Sequence, residues 1–186
     1  MHFLTEYVNG LTQTLANLDV LQFDLLVDEL LRVHKEDGLI LICGNGGSAA
    51  TASHMVNDLV KAPADATACK PFRAVALSDC VPLMTAYAND VDYAKAFSKQ
   101  VQALARKGDL LICFSGSGNS PNVVEAAQTA RTIGIKVACL TGFKGGKLAP
   151  LADIHINVPC SCMAQIEDAH LIIEHAVVEM LKNRLK

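Results

Sequence analysis

One pattern, used twice, limits what this chain can fold into. A short, wholly apolar run ends in a bend of glycine, serine and asparagine, and the bend passes directly into a helical stretch. Leu39–Cys43 leads into Gly44-Asn45-Gly46-Gly47-Ser48 and then Ala49–Val60. Leu110–Phe114 leads into Ser115-Gly116-Ser117-Gly118-Asn119-Ser120, with Pro121 suited to the first turn of a helix over Asn122–Ile133. Apolar runs without alternation belong to strands covered on both faces. Strand, bend and helix in repetition mean parallel pairing through crossovers. The same reading predicts strands at Phe72–Leu77, Lys136–Thr141 and Ile154–Val158, and helices at Pro82–Ala88, Tyr93–Ala105 and Ile166–Leu185. Ahead of these, residues 1–37 carry apolar side chains at helical spacing, which predicts two helices broken near Asn17–Asp19.

The expected fold class is therefore α/β: an open, doubly wound parallel sheet flanked by helices, flavodoxin- or Rossmann-like, with an N-terminal helix pair and a long C-terminal helix. No repeat or linker divides the 186 residues, which suit a single domain over 1–186. Hydrophobic residues make up 51% of the chain although aromatics make up only 5%, so Ala, Val, Leu and Ile must fill the core, as befits helices on a parallel sheet. The net charge of −3 and the lack of a basic run argue against nucleic-acid binding. No stretch approaches the roughly 20 apolar residues of a membrane helix, and Met1–Gly10 has no apolar signal core, so a cytoplasmic protein is expected. Cys43, Cys113 and Cys139 fall in strands and read as buried free thiols of a reducing compartment. Cys160-x-Cys162 fits neither a zinc knuckle nor a redox C-x-x-C.

Both bends suit an anion. Glycine lets the backbone approach a ligand closely, the following helix start offers unpaired N–H groups, and serine adds hydroxyls. Neither bend has the lysine of a P-loop or a full G-x-G-x-x-G, so a small phosphorylated molecule is expected rather than a nucleotide. His54 and Asp58, four apart, share a helix face, as do Glu167 and His170, three apart; His175 lies two turns beyond Glu167. Standing alone, His54 and Asp58 read as a surface pair, but their helix springs directly from the first bend. His170 reads equally as a residue packed at a subunit contact, and His155 as structural.

The segments Gly44-Asn45-Gly46-Gly47-Ser48-Ala49-Ala50, Ser117-Gly118-Asn119-Ser120-Pro121-Asn122-Val123 and Glu167…His170…His175 resemble those of the SIS (sugar isomerase) domain phosphoheptose isomerases. The likeness extends over nearly the whole chain, including Ala88-Asn89-Asp90. It implies that Ser115, Gly116, Ser117 and Ser120 hold a sugar phosphate, that Asn45, Gly46 and Ser48 face the substrate, and that Asp90 contacts the sugar. It further implies that His54, Asp58, Glu167 and His175 hold one Zn²⁺ per subunit, with Glu167 also facing the substrate, His175 the catalytic base and Asp58 its catalytic partner. Four positions depart from the family's pattern: Gly116 stands where Thr is frequent, Asp58 for Glu, Glu167 for Gln, and Lys61-Ala62 where an Arg is common. The activity implied is aldose–ketose isomerisation of sedoheptulose 7-phosphate to D-glycero-D-manno-heptose 7-phosphate through an enediol(ate). The assembly implied is a homotetramer with sites at subunit interfaces, the terminal helix contributing across a contact. The alternatives are a non-catalytic SIS regulator, or an isomerase of another sugar phosphate. A regulator is expected to lose the histidines, and both are present.

Overall fold

The structure, a computed structural model, describes residues 2–186. Helix α1 (Phe3–Ala16) ends at Asn17, and α2 (Val20–Lys35) begins at Asp19, whose side chain accepts from the N–H groups of Leu21 and Gln22. The break thus falls where the sequence predicts it, because Asp19 offers the helix start a cap that no apolar residue can. Strand β1 (Leu39–Cys43) follows, then α3 (Gly47–Thr67), β2 (Arg73–Ala76) and α4 (Val81–Asp90). A single 3-10 turn at Tyr93–Lys95 leads into α5 (Ala96–Leu104). The chain closes with β3 (Leu110–Ser115), α6 (Pro121–Ile133), β4 (Lys136–Thr141), β5 (Ile154–Asn157) and α7 (Met163–Arg184).

Two boundaries move appreciably from the predicted ones. The helix expected over Ala49–Val60 continues to Thr67 with Pro63 inside it. A mid-helix proline removes one hydrogen bond, and the alanines at 62, 64 and 66, strong helix formers, carry the helix past it. The terminal helix starts at Met163 rather than Ile166. Its first turns are fixed from outside: Gln165 Nε2 donates to the Tyr7 carbonyl at 3.0 Å, and the Tyr7 hydroxyl donates to Asp168 Oδ2 at 2.6 Å. Helix α1 is thereby pinned along the start of α7.

All strand pairs are parallel, in the order β2-β1-β3-β4-β5. The chain steps outward from β1 to β2, then returns across β1 to β3, so the order reverses between β1 and β3. Ligands of such sheets bind outside the carboxyl ends of the strands at this reversal, and the two glycine bends lie there side by side. Alternate strand residues feed two cores. Ile40, Ile42, Leu110, Ile112 and Leu140 pack with buried residues of α2, α3 and α7, such as Leu30, Met55, Leu59, Ile166 and Val177. Leu41, Leu111 and Val137 pack with Phe97 and Val101 of α5 and Val123 and Ala127 of α6. Cys43, Cys113 and Cys139 form an in-register row on this second face, all fully buried and free, with Cys43 and Cys113 Sγ atoms 3.8 Å apart. Helix α4 contributes no buried residue and lies along the rim.

Two aspartates fasten the amino ends of the strands by the same device. Asp109, just before β3, accepts from Leu39 N–H of β1 at 2.7 Å and from Arg106 N–H at 2.6 Å. Asp153, just before β5, accepts from Val137 N–H of β4 at 2.8 Å. Each carboxylate satisfies a strand-end donor that the ladder leaves unpaired. Asp109 is buried, so Asp109→Ala strands two donors and is expected to lower stability by about 2 kcal/mol, measured by urea denaturation.

Candidate active site

The two bends are built differently. In the first, Gly44 lets the chain fold back on itself: a Cβ there would lie 2.6 Å from the Ser48 carbonyl oxygen. Gly46 adopts φ +56° as the residue preceding α3, a conformation that glycine takes without strain. Asn45 then fastens this bend to the second. Its amide exchanges two 2.8 Å hydrogen bonds with that of Asn122 in the first turn of α6, and its Oδ1 also accepts from the Tyr93 hydroxyl at 2.8 Å. Asn122 is buried, which makes the link costly to open.

The second bend is braced by the loop after β4. Gly142 N–H donates to the Gly116 carbonyl at 2.8 Å, Leu148 N–H to the Gly118 carbonyl at 3.0 Å, and Lys147 N–H to Asn119 Oδ1 at 3.1 Å. Gly118 must be glycine: its φ is +65°, and a Cβ would sit 2.1 Å from the Gly145 carbonyl oxygen. Ser115 and Ser120 hydroxyls lie 3.2 Å apart, and Ser117 Oγ accepts from Asn119 N–H at 3.1 Å. Ser115 and Ser48 are almost sealed, whereas Ser117 and Ser120 are half-buried. Ser120, the residue before α6, makes no capping hydrogen bond and Pro121 supplies no N–H, while Asn122 Oδ1 accepts from Val123 N–H at 3.0 Å in the first turn. Gly116 carries no hydroxyl because its space is taken, a Cβ there meeting Met163 Sδ at 2.4 Å.

The start of α3 is not equally free. Glu167 of α7 lies over it, and a Cβ at Gly47 would come within 2.6 Å of Glu167 Oε2. A carboxylate at a helix N-terminus is held by the same partial charge that would attract phosphate. The equivalence of the two bends expected from sequence therefore does not hold: the first already faces an anion of its own, and the second alone is open to receive another.

About two turns further along both helices, α3 and α7 bring their imidazoles together within one chain. His54 and His175 Nε2 atoms stand 3.2 Å apart, with the rings near perpendicular at 72°. Asp58 Oδ2 lies 3.6 Å from His54 Nε2, and Glu174 Oε2 lies 3.5 Å from His175 Nε2. One ligand atom from each of His54, Asp58, Glu174 and His175 falls within 4.8 Å of all the others. Two nitrogens on one tetrahedral zinc are about 3.3 Å apart, given Zn–N bonds of about 2.0–2.1 Å. The observed separations are thus those of donors already spaced for a divalent cation, and imidazole with carboxylate is a suitable donor set. Of the four ligands expected, His54, Asp58 and His175 converge; Glu167 stands at Gly47, outside this group, and Glu174 joins instead. The two histidines and Asp58 are at least partly open to solvent, whereas Glu174 is sealed. Burial, with the Asp58 charge adding to it, pushes the Glu174 carboxyl up to about 8.

Asp90, the last residue of α4, is exposed, and its Oδ1 accepts from Asn89 Nδ2. Helix α4 and the first bend enclose a cavity of about 270 Å³ lined by Asn45, Gly46, Ser78, Val81, Met84 and Tyr93 among others. Tyr93, Asn122 and Glu174 were not legible as site residues. Asn122 directly follows Pro121 at a helix start, and Glu174 interrupts the otherwise apolar series Ile166, Ile173, Val177, Leu181; these were the available signals. His170 is buried within the chain itself, beside Phe114, where its Nε2 donates to the Thr141 carbonyl at 3.3 Å while Nδ1 has no partner.

An open α/β sheet with two glycine–serine bends at its switch point and a histidine–carboxylate cluster beside them accords with an SIS-domain protein, and residues 3–142 match the SIS domain family. A phosphoheptose isomerase of Aliarcobacter butzleri is 42% identical over 151 residues, covering 81% of this chain and 79% of that protein. One of Chlorobaculum parvum is 36% identical over 180 residues, covering 96% and 86%. The solved phosphoheptose isomerase of Neisseria gonorrhoeae superposes with a TM-score of 0.86 at 35% identity, over 97% of this chain and 99% of that one. The chain belongs to the phosphoheptose isomerase family, the sugar-phosphate isomerases of this fold.

His170 supplies a pH prediction. Burial lowers its pKa to about 4, its bond to Thr141 opposing, whereas in the unfolded chain it titrates near 6.5. Between these values the unfolded chain binds the extra proton, so this residue's contribution is intact above pH 6.5 and lost as pH falls towards 4. In His170→Phe the Thr141 carbonyl keeps the Val158 N–H, so the variant remains bonded there. The stability gap between wild type and variant is expected to shrink or reverse by up to about 1.4 kcal/mol per pH unit across that window, measured by denaturation at stepped pH.

Proposed function

We propose that this chain interconverts sedoheptulose 7-phosphate and D-glycero-D-manno-heptose 7-phosphate. The observation that carries the reading is the meeting of His54 and His175 beside Asp58, on helices other than the one the serine bend opens. A sugar of seven carbons has its phosphate at one end and its carbonyl at the other, so it needs this division. Ser117 and Ser120, with the backbone N–H groups opening α6, receive the phosphate, and Ser115 orients Ser120. This clamp supplies binding energy remote from the reacting carbons and fixes their position. Asn45, Gly46, Ser48, Asp90 and Glu167 are the residues for the hydroxylated carbons between. His175 takes the proton from one of C1 and C2 and returns it to the other, and imidazole is the side chain suited to both steps near neutral pH. Asp58 exchanges protons with the sugar oxygens. His54, Asp58 and His175 are suited to hold Zn²⁺, whereas Glu167, the fourth ligand that the family resemblance implies, stands outside their group. When bound, such an ion supplies stabilisation of negative charge developing on the sugar's oxygen.

Exposed apolar side chains on the N-terminal helix pair, Phe3, Leu4, Val8, Val20, Leu21 and Leu25, support assembly into a homotetramer. No helix among the described residues is long and apolar enough to cross a membrane, which accords with a cytoplasmic location.

The direct test incubates the purified protein with sedoheptulose 7-phosphate, with and without a chelator and added zinc, and follows aldose formation. Turnover that falls with the chelator and returns with zinc is expected; no aldose under any condition refutes the assignment. His175→Ala is expected to abolish turnover with substrate binding nearly unchanged, and activity retained in that variant overturns its role as base. Ser120→Ala is expected to raise KM about tenfold while kcat stays within a few-fold, since it removes one hydrogen bond to a charged group.

A further inference from the structure

We propose that Glu174 is a metal ligand in this chain, completing from the buried side of α7 the set begun by His54, Asp58 and His175. The inference rests on the reading that the paired histidines hold a divalent cation, and it concerns which residues of this chain do so.

The first ground is that Glu174 has no other use for its charge. The residue is 1% exposed, and neither carboxylate oxygen has a hydrogen-bond partner. It occupies the face of α7 that otherwise buries Ile166, Ile173, Val177 and Leu181. No lysine or arginine ion pair reaches it; the groups facing it are His175 on its own helix and His54 and Asp58 on α3. A carboxyl sealed among apolar side chains and left unbonded is destabilising by several kcal/mol unless something compensates it.

The second ground is directional. Neighbouring residues on a helix point about 100° apart and do not ordinarily meet. Glu174 Oε2 and His175 Nε2 nevertheless approach to 3.5 Å, which requires both side chains to bend to one point. That point is where His54 Nε2 also lies, 3.2 Å from His175 Nε2. Four donors from four residues, two of them carboxyls, converge on a place that no lysine or arginine ion pair among the described residues reaches.

The third ground is the position of Glu167. Its carboxylate stands against Gly47, at the start of α3. If Glu174 completes the donor set, Glu167 is released to face the sugar, and two carboxylates balance the charge of a divalent ion.

The test uses the full-length protein, stripped with a chelator and titrated with Zn²⁺ against a competing chromophoric chelator, alongside thermal unfolding of the stripped and zinc-loaded forms. Wild type is expected to take one zinc per chain and to melt higher when loaded. Glu174→Gln, which keeps the shape and removes the charge, is expected to bind zinc about tenfold or more weaker and to lose most of that rise. Glu174→Met is expected to show the same loss, while its stripped form melts above stripped wild type because the uncompensated carboxyl is gone. If Glu174→Met does not fold, Glu174→Gln decides. Zinc affinity and melting rise within twofold of wild type in Glu174→Gln overturn the proposal and leave the cation reading intact. A wild type that takes up no zinc overturns both. Glu167→Gln serves as the control and is expected to retain zinc affinity within a few-fold; a loss of about tenfold or more in Glu167→Gln combined with a neutral Glu174→Gln assigns the ligand to Glu167 and refutes the inference.

Discussion

The packing of α3 against α7 on one face of the sheet is the contact on which the chemistry depends. Neither helix carries a complete functional group set. Helix α3 brings His54 and Asp58, and α7 brings Glu167, Glu174 and His175. Their relative height is fixed below the site by buried side chains such as Ala52, Met55 and Leu59 of α3 and Ile166, Ala169 and Ile173 of α7. Because interiors pack at near-crystalline density, a slip of these layers cannot be absorbed gradually. The 3.2 Å approach of the two imidazoles, within hydrogen-bond distance, rests on that rigid stacking.

The same contact divides labour between two bends that look alike. Helix starts attract anions whether the anion arrives with a ligand or belongs to the protein. At α3 the protein provides one, Glu167 beside Gly47. At α6 the residue before the helix, Ser120, gives no capping bond, and the nearby hydroxyls are those of Ser115, Ser117 and Ser120. The two helix starts thus differ: one faces a carboxylate of the chain, the other serine hydroxyls. The Asn45–Asn122–Tyr93 network keeps the two ends in register, since it spans both bends through paired amides.

Much of this could be read from the chain in advance. The five strands, the helix break at Asp19 and the positions of the glycine bends follow from local residue types: apolar runs without alternation, a capping carboxylate, and glycines where the backbone turns back on itself. His54, Asp58 and His175 carried a spacing signal and a family likeness. What escaped was what depends on packing between distant segments. Helical periodicity puts Glu167 and His175 on roughly one face, but only the tilt of α7 across α3 decides that Glu167 meets Gly47 while Glu174 meets the histidines. The continuation of α3 through Pro63 escaped for the converse reason, a local rule overridden by the alanines around it and by burial of the proline ring. His170 read equally as a residue packed at a subunit contact, and it lies instead inside the chain with its ring beside Phe114.

The row of three thiols across β1, β3 and β4 has a consequence for how this protein can be watched. Cys43, Cys113 and Cys139 are sealed under α5 and α6, and burial and neighbouring thiols raise the Cys113 pKa well above normal, so none reacts while the sheet is intact. Cys80 and Cys162 lie at the surface. Alkylation therefore splits into a prompt phase from the rim and a delayed phase that starts only when the central strands part from their helices. The chain carries an internal clock for the opening of its sheet, with no dye or engineered residue required.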